Sequence, residues 1–192
     1  MNEKQIELAK LRDKVLSCKK CSLYKTRNNV VFGEGNPNAD ILFIGEAPGA
    51  NEDKQGIPFC GAAGKFLNEM LATIGFERED VFIANTLKCR PPENRDPEDS
   101  EKEVCRPYLE EQFKIIDPRL VVLLGRHSLN TFLPGVGSIT TLHGKAMKRM
   151  DGRIYLPLYH PAAALHNGSL RQTLIEDFKK ITLILKKIKQ EN

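Results

Sequence analysis

The chain has 192 residues, 41% of them hydrophobic, and a net charge of +4, enough length for one domain with a substantial core. No apolar run approaches the ~20 residues of a membrane span, and the charged start MNEKQIELAKLRDK does not read as a secretory signal. A cytoplasmic protein with reduced thiols and no membrane partner is therefore expected; its mild basicity permits an acidic partner without demanding one.

Residues 3–16 place Ile6, Leu8, Leu11, Val15 and Leu16 at loosely helical spacing. ADILFIGEAPG reads as a buried strand, Ile41 to Ile44, that stops at Gly45. AGKFLNEMLATIG is a helix with Phe66, Leu67, Met70, Leu71 and Ile74 inward and Gly75 as its stop. DVFIANTLKC is a second strand. DPEDSEKEVCRPYLEEQFKIID opens with an acidic turn and continues as a helix, with a bend expected at Pro107. RLVVLLG is an all-apolar third strand, as suits one covered on both faces. RHSLNTFL reads as helical, RIYLPLYHPAA as a fourth strand, and SLRQTLIEDFKKITLILKKIK as a long closing helix. This alternation predicts a three-layer α/β/α sandwich around a central, mostly parallel four-stranded sheet. With no linker, repeat or low-complexity segment, residues 1–192 read as a single domain.

Five cysteines occur, Cys18, Cys21, Cys60, Cys89 and Cys105. Cys18 and Cys21 follow a predicted helix and precede a polar loop, whereas a thioredoxin-type redox pair caps a helix after a strand. Cys89 and Cys105 bracket RPPENRDPEDSEKEV, whose prolines stop any strand and let the chain turn back. One pair plus two single thiols suits a tetrahedral metal or a cubane cluster. The spacing does not choose between zinc and iron–sulfur, and ordinary buried free thiols stay open at this stage. Cys60, the odd one, reads as structural.

The predicted strand ends carry most of the remaining chemistry. Gly45-Glu46-Ala47-Pro48-Gly49 follows the first strand, Asn85 ends the second, Gly125-Arg126-His127 follows the third, and His160-Pro161 follows the fourth. In open α/β sheets ligands bind in this crevice. A carboxylate, an amide and an imidazole are thus expected to converge there, although each alone reads equally as a capping or turn residue.

GEAPGANEDKQGIPFCGAAGKFL, NTLKCRPPENRDP and HPAAAL resemble, in order, the three signature blocks of family 4 uracil-DNA glycosylases, the iron–sulfur type of that superfamily. Cys18, Cys21, Cys89 and Cys105 match the family's ligand pattern, so the resemblance implies a [4Fe–4S] cluster with a structural role. It implies a base excision repair enzyme that flips uracil from single- or double-stranded DNA and hydrolyses its N-glycosidic bond, expected to act as a monomer. Phe59 would stack on the base and Asn85 would read its edge. His160 would steady charge on uracil O2, with Glu46, Ala47 and Pro48 lining the pocket. The water-activating Asp of related families falls at Ala47, which cannot act as a base. Water is therefore expected to be positioned rather than deprotonated, with Glu52 and Asp53 as further candidate carboxylates. Leu165 or His166 would wedge into the gap left by the flipped base. Lys19, Lys20, Lys25, Arg27, Arg90 and Arg95 would form a phosphate-contacting face. A non-catalytic iron–sulfur nucleic-acid-binding protein and a zinc-bound structural protein are the competing readings.

Overall fold

The computed structural model describes residues 2–190. Helix α1 (Glu3–Leu16) leads into a 3₁₀ turn and a two-residue strand, β1 (Glu34–Gly35). The chain continues through β2 (Ile41–Gly45), α2 (Ala50–Gln55), α3 (Ala62–Thr73) and β3 (Phe82–Asn85). Then follow α4 (Asp99–Ile116), β4 (Leu120–Leu124), α5 (Arg126–Phe132), α6 (Ile139–Leu142), β5 (Met147–Lys148), β6 (Ile154–Leu158), α7 (Pro161–His166) and α8 (Ser169–Gln190). No helix among the described residues is long and apolar enough to cross a membrane.

The sheet order is β1-β3-β2-β4-β6-β5. The four expected strands are present and mutually parallel, β3 on β2, β2 on β4 and β4 on β6. The sheet nevertheless has six strands rather than four, because β1 and β5 add antiparallel edges. Two residues carry no alternation to read; β1 pairs with the distant β3, Glu34 against Ile83, whereas β5 and β6 form a local hairpin, Lys148 against Ile154. The bend expected at Pro107 does not interrupt α4, which runs unbroken from Asp99 to Ile116.

Alternation along the central strands fills two cores. Leu42, Ile44, Val121 and Leu123 face α1 and α4. Ile41, Phe43, Leu120, Val122 and Leu124 face the opposite way, into the layer of α3 and α8. Strands buried on both faces read as continuous apolar runs, which explains ILFI and LVVLL. After β2 the chain crosses to β3 on one side, and after β3 it returns to β4 on the other. The crevice between the carboxyl ends of β2 and β4 is therefore a topological switch point.

Candidate active site and thiol cavity

Gly45 and Asn85 are register partners at the ends of β2 and β3. Beyond them the pairing continues as Thr86 N donates to the Gly45 carbonyl and Leu87 N to that of Glu46, each at 3.0 Å. This holds Asn85, only 2% exposed, with its amide beside Gly45. Among the described residues, Asn85 Oδ1 is the one buried side-chain nitrogen or oxygen with no hydrogen-bond partner. An unsatisfied buried acceptor costs about 1–3 kcal/mol, so its presence points to a donor arriving with a ligand. A Cβ on Gly45 would stand 2.4 Å from that oxygen and 2.7 Å from Phe59 Cζ. The absence of a side chain at residue 45 is what lets the amide and the ring share one floor.

Phe59 lies between α2 and α3, buried, with a left-handed φ of 50°. Its ring stacks on the His160 imidazole, centroids 5.4 Å apart and 26° from parallel. His160 caps α7, and its Nδ1 accepts from the Ala162 N–H at 3.1 Å. That bond assigns the lone pair to Nδ1 and the proton of the neutral ring to Nε2. Burial pulls the imidazole pKa down to about 4, against the pull of Glu52. The ring is thus a neutral Nε2–H donor at physiological pH. Nitrogen chemical shifts of His160 should report this tautomer unchanged from pH 7 to 5; a doubly protonated ring at pH 5 would contradict it.

The Glu46 carboxylate faces α5, its Oε2 3.5 Å from His127 Nε2. His127 Nε2 lies equally close to Asp96 Oδ1, while Arg126 donates from Nη2 to Asp96 at 2.5 Å and from Nε to His127 at 3.1 Å. Burial raises the Glu46 pKa and His127 works against that rise. Glu52 Oε1 accepts from the Gly61 N–H at 2.9 Å, at the start of α3, and so ties α2 to the segment carrying Phe59. Asp53 is not a pocket residue. It is 1% exposed and accepts from the backbone and side chain of Asn28 and the backbone of Asn29. Ala47 adjoins Glu46 without a titratable group, and Pro48 is buried. Leu165 and His166 end α7, both solvent-exposed, Leu165 at 47%.

Cys18, Cys21, Cys89 and Cys105 line one cavity with Val15, Tyr24, Arg27, Lys88, Val104 and Tyr108; Cys60 lies outside it. Four elements of sequence meet here: the end of α1, the turn after it, the chain after β3, and α4. Arg27 Nη1 donates to Cys89 Sγ at 3.1 Å and the Lys88 N–H to Cys105 Sγ at 3.3 Å. Burial pushes the Cys105 thiol up to about 11 and raises Cys89 as well. A coordinated metal reverses such a balance, since a ligating thiol gives up its proton outright. The only set of three or more metal-ligand atoms within 4.8 Å of one another, among the described residues, is Glu46, Asp96 and His127. An all-sulfur donor set with N–H groups aimed at sulfur suits a cysteine-held metal or iron–sulfur cluster.

Two basic residues expected on a phosphate-contacting face are committed inward. Arg27 bonds Cys89 Sγ and the Leu16 carbonyl, and Arg95 makes a two-pronged pair with the buried Glu101 carboxylate. The latter pins the loop after Cys89 to the first turn of α4.

The family model described as the uracil DNA glycosylase superfamily matches residues 32–185. A type-4 uracil-DNA glycosylase of Sulfurisphaera tokodaii is 53% identical over 182 residues, spanning 91% of this chain and 83% of the relative. Those of Saccharolobus solfataricus and Archaeoglobus fulgidus are 48% and 46% identical, over 89% and 87% of this chain and 83% and 87% of their own. The chain belongs to the type-4 uracil-DNA glycosylases. Within this type-4 frame Glu46, Asn85 and His160 gather at one end of the sheet, as their placement at strand ends implied, and Phe59, singled out by the resemblance alone, stacks on His160 there. His127, placed at the end of the third strand by the sequence, lies beside Glu46. Asp96 and Lys88 were not legible. Asp96 meets His127 only across the switch point. Lys88, 1% exposed, donates from Nζ to the Asn85 carbonyl at 3.0 Å and to Gln112 at 2.5 Å.

Proposed function

We infer that this chain excises uracil from DNA by hydrolysing the bond between N1 of the base and C1′ of deoxyribose, leaving an abasic site. The observation that carries this reading is the unpartnered Asn85 Oδ1 on the pocket floor. Uracil supplies a donor at N3–H and an acceptor at O4, the complement of a carboxamide. Cytosine inverts both groups, so the same amide rejects it. A base inside a duplex cannot reach this depth, and the nucleotide enters flipped. Phe59 offers it a ring face.

As the glycosidic bond lengthens, the sugar becomes cationic and the leaving base gathers negative charge on O2. His160 Nε2–H is the donor for that charge. Being neutral beforehand, it takes part without first surrendering a proton. Glu46 and Glu52 place negative charge around the pocket, where it favours the cationic sugar. Ala47 supplies no base, so water attacks C1′ of a sugar already cationic from loss of the base. Its hydroxyl goes to C1′ and its proton leaves with the base or to solvent. Pro48 lines the pocket, and Leu165 and His166 stand where α7 meets solvent, suited to fill the vacated stack.

Cys18, Cys21, Cys89 and Cys105 would hold a [4Fe–4S] cluster, whose contribution is a cross-link between the N-terminal segment and the loop of Cys89 to Cys105. Residues 1–192 act as one domain and as a monomer on single- or double-stranded DNA. Purified without oxygen, the protein should be brown, with about four irons and four sulfides per chain. Cys89→Ala or Cys105→Ala should bleach and destabilise it, whereas Cys60→Ala should keep the colour; a colourless zinc protein would defeat the assignment. The activity itself is tested with single- and double-stranded oligonucleotides carrying U, T or C. Free base and alkali-labile sites are expected from U alone.

A further inference from the structure

The stacking residue is held in a backbone conformation that a phenylalanine does not choose. Phe59 has φ 50°, in the left-handed region where a Cβ is disfavoured. Such a residue persists only when its surroundings over-determine it. Two neighbours do so. Gly64, in the first turn of α3, approaches so closely that a Cβ there would lie 1.6 Å from the Phe59 carbonyl oxygen. From the other side comes Arg78, at the start of the short 3₁₀ turn Arg78–Asp80 before β3. Its Nη2 donates to the Pro58 carbonyl at 2.7 Å and its Nη1 to the Phe59 carbonyl at 3.3 Å.

The guanidinium is itself oriented. Nε and Nη2 both donate to Glu34 Oε1, at 3.2 and 2.7 Å, and Nη1 also reaches Asn68 Oδ1 at 3.3 Å. Glu34 sits on β1, the edge strand whose partner is β3. One planar fork thus ties the sheet edge and α3 to two successive carbonyls of the Phe59 segment. A lysine ammonium at this place can keep the ion pair with Glu34 but cannot present this fork.

We propose that Arg78 is a positioning residue for the uracil site: through the Pro58 and Phe59 carbonyls it holds Phe59 in the left-handed conformation that lays its ring beside His160 and Asn85. The proposal rests on the reading of Phe59 as the base-stacking residue. Arg78 borders a groove of its own with Glu34, Asn36, Asn68 and Glu77, and its hydrogen bonds go to Glu34, Pro58, Phe59 and Asn68 rather than to Asn85 or His160.

The test is a double-mutant cycle on single-turnover uracil release, using the cluster-loaded protein and the variants Arg78→Lys, Phe59→Ala and both together. Arg78→Lys keeps the charge and is the variant most compatible with folding. It should slow release by about 10-fold to 100-fold, the range a displaced site residue produces. Affinity for uracil-free DNA and visible absorbance should stay unchanged. In the Phe59→Ala background the same substitution should change nothing further. Arg78→Ala adds a second readout: millimolar guanidinium should restore its rate relative to an equal concentration of potassium chloride, and should not restore Phe59→Ala. Full activity in Arg78→Lys, or losses that simply multiply in the double variant, overturns the role of Arg78 while leaving Phe59 in place. Full activity in Phe59→Ala removes the stacking reading itself, and the proposal with it.

Discussion

Asn85→Asp should lose uracil excision by something on the order of 10⁴-fold, the discrimination a buried hydrogen-bonding site shows when one partner is wrong. The change is isosteric, and the Asn85 backbone keeps its bond from Lys88 Nζ. The pocket floor therefore stays in shape while its chemistry inverts. One carboxylate oxygen still accepts from uracil N3–H, but the other now confronts O4, acceptor against acceptor. Cytosine instead offers its N4 amino group to a carboxylate, and a protonated acid can donate to cytosine N3. A small cytosine-releasing activity should accordingly appear, larger opposite a mismatch, where flipping is easier. Labelled oligonucleotides report it, with Asn85→Ala as the control that removes the amide without supplying an acid. If Asn85→Asp releases uracil as fast as the natural chain, the amide is not the reading group. Loss of uracil activity without any gain on cytosine would cancel only the switch.

His160→Ala should cost about 10²–10³-fold in the rate of the chemical step, the usual price of removing a preorganised donor from a developing anion. The loss belongs to the transition state because O2 carries little charge until the bond stretches. Affinity for uracil-containing DNA should fall far less than the rate. The bond from Ala162 N–H to Nδ1 and the packing against Phe59 show a ring held ready before substrate arrives. His160→Gln, which can still donate a hydrogen bond, should recover part of the loss. Equal losses in affinity and rate would make His160 a binding residue and dismiss its catalytic part.

Much of this site was legible before any coordinates, for a definable reason. Parallel strands buried on both faces are runs of apolar residues that must end where the chain leaves the sheet. The residue at that end is therefore visible in ILFIGEAP, FIANT and YLPLYHP. Asn85 and His160 were found this way, and the family blocks then supplied roles for them and for Phe59. The cysteines were equally visible, but their spacing alone fitted either zinc or a cluster. The structure brings the four into one cavity, and the choice of a cluster rests on the family resemblance.

Other features had no sequence signal at all. Asp53, placed beside Glu52 in a carboxylate-rich segment, looked like a second pocket acid. Only the fold shows that it caps the backbone of Asn28 and Asn29. Arg27 and Arg95 looked like surface cations until their partners, a cysteine sulfur and a buried glutamate, came into place.

Local pattern was enough to determine α1, α3, α4, α5 and α8, the four central strands and the identity of the groups at their ends, because periodicity and strand termination are properties of a few consecutive residues; the short α2, α6 and α7 carry no such pattern. The edge strand β1, the clamp of Phe59 by Arg78 and the contact of Asp96 with His127 were decided by tertiary structure alone. Each depends on residues that the chain separates by tens of positions and the sheet order brings within a few ångströms. Hydrogen bonds and charges act at that range, and nothing in the local sequence encodes which distant group will be there.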